Sequence, residues 1–507
     1  MMRALLLRIL IFSHRWLGLA LCLLFAVWFS SGIVLMYWNY PDVDAADRLQ
    51  HAAPIDGSKI QLSPTEAWER LNYLGQPDRA DLVTFLGRPA YIFAIEDERG
   101  LVYADDGTVL TEYSDGVARA IAAEWVGQPA DAARFDGLMQ LPNVDQWTVG
   151  GPTYRYWPLY KFTWADAETV YVSSTTGEVV QHTTRASRFG AYVGAVPHWL
   201  YFVPLRRDGR IWRLVVLWTS SLGIVACLLG LAVGVWMYSP RKRYRSGSGA
   251  PSSFPYAGQK RWHTIFGLFF GVFACTWGLS GFLSMGTVAA LNRGPQIASQ
   301  VSSGLRGGTL DLRAFGPKDP RTALQEVSRE IRVRRLEFSL FGGEPLYLGI
   351  DTPRESRLVP VNFPAAPYFD PDIVTIMVSQ AVDPVKVVDA RLIHEYDAYY
   401  LDRGSELPLP VLRLRLDDTQ RSLLYIDMRT ALLIAGFSAE GRLNRWLYHG
   451  LHSLDLPWLY RHRPLWDVVM LLLLGGGLAL SVTAVIIGWR FVRGKVQRTA
   501  SVPGSGF

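Results

Sequence analysis

The sequence predicts a membrane protein: a four-transmembrane-helix bundle made by a parallel internal duplication, with two extracytoplasmic α+β domains. Three observations predict it. Four runs without a charged residue, 17–40, 214–240, 264–292 and 468–489, punctuate the 507-residue chain. Each reaches the roughly 20 residues that a helix needs to cross a bilayer. The basic residues between the runs are segregated, and two stretches of the chain repeat one another at fixed offsets.

The spans come first because composition demands them. Half of the residues are hydrophobic and 19% are charged, against about 25% in soluble domains. A soluble cytoplasmic enzyme is excluded. A bare channel is disfavoured too, since about four-fifths of the chain lies outside the four runs. The three cysteines, Cys22, Cys227 and Cys275, all fall inside the runs. None can staple an outer domain, and there is no CxxCH or CxxC pair for c-type haem, redox or zinc chemistry.

Charge then orients the spans. Arg3, Arg8 and Arg15 precede the first run. Arg241, Lys242, Arg243, Arg245, Lys260 and Arg261 lie between the second and third, and Arg490, Arg493, Lys495 and Arg498 follow the fourth. Residues 1–16, 241–261 and 490–507 contain no Asp or Glu. This is the positive-inside pattern, so the net charge of +6 reports topology and no nucleic-acid partner is expected. A signal peptide is the rival reading of the first run; its length, and its match to an internal run, favour a span.

The predicted organisation is a cytoplasmic tail and first span over 1–40, an outer domain over 41–210, and a second span over 211–240. A cytoplasmic linker follows over 241–261, then a third span over 262–292, a second outer domain over 293–463, and the fourth span with its tail over 464–507. Both termini are expected in the cytoplasm, in a bacterial inner (plasma) membrane, with membrane lipid around the spans. The linker, rich in Ser, Gly and Pro, is too short to hold a nucleotide.

The outer segments read as α+β. Ser63-Pro64-Thr65-Glu66 opens a helix with a capping box and proline at the first helical position. Strands are predicted over 81–86, 89–96 and 100–104, with Asp105-Asp106-Gly107-Thr108 as a hairpin turn. A second hairpin pairs 168–174 with 178–182. In the later segment a helix is predicted over 320–333, strands over 335–340, 345–351 and 358–362, and an antiparallel pair over 409–416 and 422–427. Asp417-Asp418 reads as the tip of that last hairpin.

The repeat carries the functional argument. Shifted by 249, His14, Gly18, Leu19, Trp28, Ser31 and Gly32 fall on His263, Gly267, Leu268, Trp277, Ser280 and Gly281. Shifted by 254, His198 falls on His452 and Trp212 on Trp466. Both copies enter from the same side, so a pseudo-two-fold axis runs along the membrane normal. Such an axis sets equivalent residues face to face: His14 opposite His263 near one membrane face, His198 opposite His452 near the other. Facing imidazoles suit bis-histidine haem b, and two haems per chain are expected. Gly18, Gly267 and Gly475-Gly476-Gly477 are expected to leave room for the macrocycle. His449, three residues before His452, is an alternative outer ligand. His51, His182, His394 and His462 have no place in the repeat. Trp28 and Trp277 read either as interfacial belt or as walls of a cofactor pocket. Arg213 and Asp467, matched at the shift of 254, are candidates for a salt bridge across the axis.

These motifs, HRWLGL before the first span and VPHWLY and WLYHGLHSL before the second and fourth, resemble the PepSY-associated transmembrane family over nearly the whole chain. The resemblance implies PepSY-like outer domains and haem iron held by His14, His198, His263 and His452. It also implies the activity of an inner-membrane ferric-siderophore reductase in iron uptake. The electron donor is expected to be membrane quinol or another membrane reductant. Two other classes stand beside this reading: a membrane-anchored peptidase regulator or binding protein without redox activity, and a transporter. The absence of Asp, Glu, Lys and Arg from the four runs counts against a proton-coupled carrier.

Overall fold

The computed structural model describes residues 2–500 apart from 97, 246–248, 403 and 405. Part of the linker and the tail beyond residue 500, both assigned above to the cytoplasm, lie outside the described residues. The chain divides into two compact units: Met1–Tyr40, Ala186–Ala289 and Asn444–Phe507 form one, Pro41–Arg185 and Ala290–Leu443 the other.

The first unit holds four helices long and apolar enough to cross a membrane: α1 (Met2–Leu35), α2 (Gly209–Met237), α3 (Gly258–Ser284) and α4 (Arg463–Ala500). Asp208 caps α2, its carboxylate accepting from the amides of Arg210 and Ile211, which satisfies donors that have no partner within the helix. Large apolar side chains point away from the bundle. Leu23, Trp218, Phe269 and Leu472 are each more than 60% exposed, a surface that suits lipid and not water. Helix α1 packs on α2 and α4, and α3 packs on the same two, closing a ring of four. Small residues let the helices approach: a Cβ at Gly476 or Gly477 would run into the rings of Phe270 and Phe29. These two glycines therefore serve helix packing, a correction to the expectation that they make room for a macrocycle.

Two short stretches belong to the same unit although the sequence placed them in the outer domains. Residues 186–208 carry the helix Ala195–Trp199, and 444–462 carry a π-helical turn, Trp446–Gly450, followed by the helical turn Leu451–Ser453.

The second unit is α+β and wholly antiparallel. Strands Arg79–Phe85, Arg88–Ile95, Glu98–Tyr103 and Val109–Leu110 come from the earlier segment, and Arg335–Phe341, Glu344–Thr352 and Glu355–Pro360 from the later one. All seven lie in one sheet, joined where Arg79–Phe85 pairs with Arg335–Phe341. Each segment thereby covers a strand edge of the other, which would otherwise offer unpaired amides and carbonyls.

Helices Pro64–Glu69 and Pro320–Val327 pack on one face of this sheet. Ser63 and Asp319 cap them, and Trp68, Leu82, Phe93, Leu324, Leu336 and Phe338 share their core. The second helix stops six residues short of the predicted 333, because Ile331 and Val333 are buried in the turn that leads to the next strand.

Each segment also builds a four-stranded sheet. The first comprises Arg134–Met139, Leu159–Thr163, Thr169–Ser173 and Val179–Thr183, with the helix Asp115–Val126 against it through Ala118, Ala122 and Phe162. The second comprises Val387–Ile393, Val411–Leu416, Leu423–Asp427 and Leu433–Phe437, with Pro371–Val382 against it through Val374 and Val378. At the Asp417-Asp418 tip, Asp418 accepts from the amide and hydroxyl of Ser422.

Candidate cofactor site: two facing histidine pairs

Helices α1 and α3 stand diagonally in the ring, and their side chains meet across it. The imidazoles of His14 and His263 have ring centres 6.2 Å apart. Further along the bundle, His198 from Ala195–Trp199 faces His452 from Leu451–Ser453, with ring centres 6.1 Å apart. The two pairs are well separated. Ser31, which touches His198, lies 17 residues after His14 on α1, and Ser280, which touches His452, lies 17 residues after His263 on α3. At 1.5 Å per residue the pairs are about 26 Å apart along the helices, close to the roughly 30 Å thickness of a bilayer's hydrocarbon core.

Every one of the four rings is held through Nδ1. His14 Nδ1 donates to the Ala226 carbonyl at 2.9 Å. His198 Nδ1 lies 3.1 Å from the Trp28 carbonyl and 3.2 Å from Ser31 Oγ. His263 Nδ1 lies 3.1 Å from Thr483 Oγ1, and His452 Nδ1 lies 2.8 Å from Ser280 Oγ.

The hydroxyls fix the tautomers. Each carries one proton. Ser31 directs it to the Val27 carbonyl at 2.6 Å, Ser280 to the Trp277 carbonyl at 2.9 Å and Thr483 to the Leu480 carbonyl at 2.7 Å. With that proton committed, each oxygen accepts from the histidine, so Nδ1 carries the hydrogen. A bare Nε2 is then what each ring can offer to the gap between the pair. Burial pushes the His198 imidazole down to about 4, against the opposing hydrogen bond to Trp28, so it is neutral, the form that binds metal.

The spacing bears on the kind of ligand. Metal–imidazole bonds of about 2.0 Å, with the ring centre about 1.2 Å behind each nitrogen, put opposed ring centres about 6.4 Å apart, whereas two ligands at a tetrahedral angle would stand about 5 Å apart. Both observed separations fit opposed ligands. Two nitrogens leave a bare metal ion under-coordinated, and among the described residues no group of three or more His, Cys, Asp or Glu is placed to hold a metal ion. They would suit an iron whose remaining positions a porphyrin supplies.

The surroundings accept such a group. A Cβ at Gly18 or Gly475 would meet nothing within 4 Å, and one at Gly267 only a methyl of Leu480 at 3.7 Å. Trp28, which holds His198 through its carbonyl, has a buried indole N–H without a hydrogen-bond partner, as expected where a ligand atom completes the site. The residues fit haem.

The remaining predicted residues fall as follows. His449 packs on Tyr448, ring centres 4.5 Å apart, and the ring set opposite His198 is that of His452. Trp277 donates its indole N–H to the His452 carbonyl at 2.7 Å, and its ring lies 5.6 Å from that of Phe29 in the middle of the bundle. His462 bonds the Trp458 carbonyl, His51 stacks on Trp125, and His182 pairs with Glu168. The salt bridge proposed between Arg213 and Asp467 does not form. Asp467 pairs with Arg463 one turn away on its own helix, and Arg213 donates to the Met285 carbonyl.

Sequence reasoning missed the partners of the histidines. Ser31 and Ser280 were visible as part of the repeat, where a hydroxyl kept inside an apolar run was the available signal. Thr483 and the Ala226 carbonyl gave none. It also missed two half-buried clusters in the second unit. Asp145 accepts from Lys161 at 2.9 Å and Tyr171 at 2.7 Å, and Asp397 accepts from Arg413 at 3.3 Å and Tyr425 at 2.9 Å. Burial alone would raise the Asp145 carboxyl, but Lys161 and the hydrogen bonds hold it below its ordinary value. In a comparison with known proteins, no family model matches the chain and no curated protein matches it.

Proposed function

We propose that the protein is an inner-membrane haem b protein of the PepSY-associated transmembrane type. It relays electrons from a membrane quinol or similar donor, through one haem near each membrane face, to a ferric siderophore on the periplasmic side. The observation that carries this reading is the pair of facing histidine sites, each with the separation of opposed iron ligands and each ring held through Nδ1.

In this reading His14 and His263 hold the inner haem, and His198 and His452 the outer one. A bound haem supplies a one-electron couple. The chain fixes the ligands, excludes water from the spans and sets the surrounding dielectric, which are the protein's levers on potential. Ferric iron held by hard oxygen ligands is released poorly, and one added electron leaves it more weakly held. The folded α+β mass of Pro41–Arg185 and Ala290–Leu443 would dock the bulky complex.

Internal duplication is part of the proposal, and side chains beyond the histidines support it. Ser31 and Ser280, 249 apart, bond His198 and His452. Trp212 and Trp466, 254 apart, donate to the carbonyls of Trp199 and Ser453, also 254 apart. Asp145 with Lys161 corresponds to Asp397 with Arg413 at a shift of 252.

The test is a visible spectrum of the purified chain before and after dithionite. Two haem b species are expected. His14→Ala or His263→Ala should remove one, and His198→Ala or His452→Ala the other. A colourless, folded protein would overturn the reading and favour the regulator.

A further inference from the structure

We propose that Ser280 and Thr483 are positioning residues that set the potentials of the two haems independently, Ser280 through His452 and Thr483 through His263. The inference rests on the haem reading above.

Three observations carry it. Both hydroxyls are buried, Ser280 at 0% and Thr483 at 7% exposure, in helices whose other interior positions are mostly apolar. Each spends its single proton on the carbonyl three residues earlier in its own helix, which satisfies the hydroxyl without any histidine. Each nevertheless stands within 3.1 Å of a histidine Nδ1 on another element. A hydroxyl kept only for its own helix would have no need to face an imidazole nitrogen.

The consequence is electronic as well as geometric. A chain runs from Nδ1–H to the hydroxyl oxygen and from the hydroxyl proton to a carbonyl. Bonds in such a chain polarise one another. Accepting from Nδ1–H makes the imidazole a stronger electron donor through Nε2. A stronger donor favours the ferric over the ferrous state and lowers the potential. Removing the acceptor should raise it. The two hydroxyls serve different pairs, about 26 Å apart along the helices, so each change should address one haem. Thr483 stands 3.1 Å from His263 Nδ1, against 2.8 Å between Ser280 and His452 Nδ1, so Thr483 should have the smaller effect.

The experiment is an optical redox titration of the full-length haem-loaded protein, comparing wild type with Ser280→Ala, Ser280→Thr, Thr483→Val and Thr483→Ser. Ser280→Ala should move the outer couple about tenfold toward the reduced form, which is 59 mV for one electron, and leave the inner couple in place. Thr483→Val should move only the inner couple, in the same direction and by less. The hydroxyl-keeping variants should stay near wild type. Loss of the outer haem alone from Ser280→Ala, with retention in Ser280→Thr, supports the positioning role as well. Unmoved potentials, or equal movement of both couples in either variant, overturn it. A wild-type protein without haem would instead overturn the functional reading on which the inference stands.

Discussion

A methyl group at residue 230 should disable one histidine pair and spare the other. His14 is clamped by two features of α2 one turn apart: its Nδ1 donates to the Ala226 carbonyl, and its ring edge lies over Gly230. A Cβ there would stand 2.6 Å from Cε1, 3.1 Å from Nδ1 and 3.3 Å from Nε2 of His14. Carbon atoms rest about 3.6 Å apart, so the ring must retreat by about 1 Å. Ligand distances in a metal site tolerate about 0.2 Å. The displaced ring must lose its hydrogen bond to Ala226 or withdraw from the proposed haem, and disturbing such supports costs on the order of 10- to 100-fold in affinity. The assay is haem content and reduced-minus-oxidised spectra of Gly230→Ala, with Gly494→Ala as the control, since a Cβ at residue 494 meets nothing within 4 Å and lies apart from both histidine pairs. Gly230→Ala should lose or shift the species that His263→Ala removes and keep the other. Two unaltered haem species in Gly230→Ala would refute the placement of His14 as a ligand.

Three further outcomes are expected. Desolvation, and then the Asp81 carboxylate directly opposite in the sheet, raise the Glu337 carboxyl against the pull of Arg335, Arg79 and Arg306. Its contribution to stability is therefore full below its unfolded value of about 4.3 and lost as pH rises through the folded value. Glu337→Gln should flatten that part of the pH dependence of thermal unfolding, and an unchanged slope would count against it. Asp145→Ala strands Lys161 and Tyr171 in a mostly buried site and should cost on the order of 3 kcal/mol, read by chemical unfolding; a loss below a few tenths would show the cluster to be incidental. A reporter fused after the last residue should be active only in its cytoplasmic form, and periplasmic activity there would sink the proposed orientation.

What the sequence could reveal depended on how far the determining interaction reached. The spans were legible because uncharged length is a local property, and the Ser63–Glu66 capping box because it lies within four residues. The histidines were legible only through the repeat, which supplied the long-range pairing that periodicity cannot. The shared seven-stranded sheet was not legible. Its central pairing joins Asp81 to Glu337, and nothing in two amphipathic strands says whether they will pair with each other or stay in separate modules. Edge strands such as Arg134–Met139 and Val387–Ile393 were missed for a related reason. They are mostly exposed and mix charge with apolar residues, so the alternation that marks a half-buried strand is lost. The helices Asp115–Val126 and Pro371–Val382 did announce themselves, by Ser114 and by Asp370-Pro371, and were overlooked.

The pairing of the histidines has a consequence for how such a protein can be built. His14 and His198 lie in the earlier half of the chain, His263 and His452 in the later, and each pair takes one ring from each half. No pair is made within a half. On the proposed duplication, a single ancestral copy would have owned one ring of each site and completed neither without a second copy across a two-fold axis. Fusing the copies relaxes that symmetry, because each ring can then acquire its own support. The supports differ in this way: His14 leans on a backbone carbonyl of α2, whereas His263 faces the Thr483 hydroxyl of α4. A symmetric dimer would give both rings of a site the same neighbours and so the same influence on whatever they bind. A covalent pair of halves can tune each ligand separately while α1 and α3 keep the rings opposed.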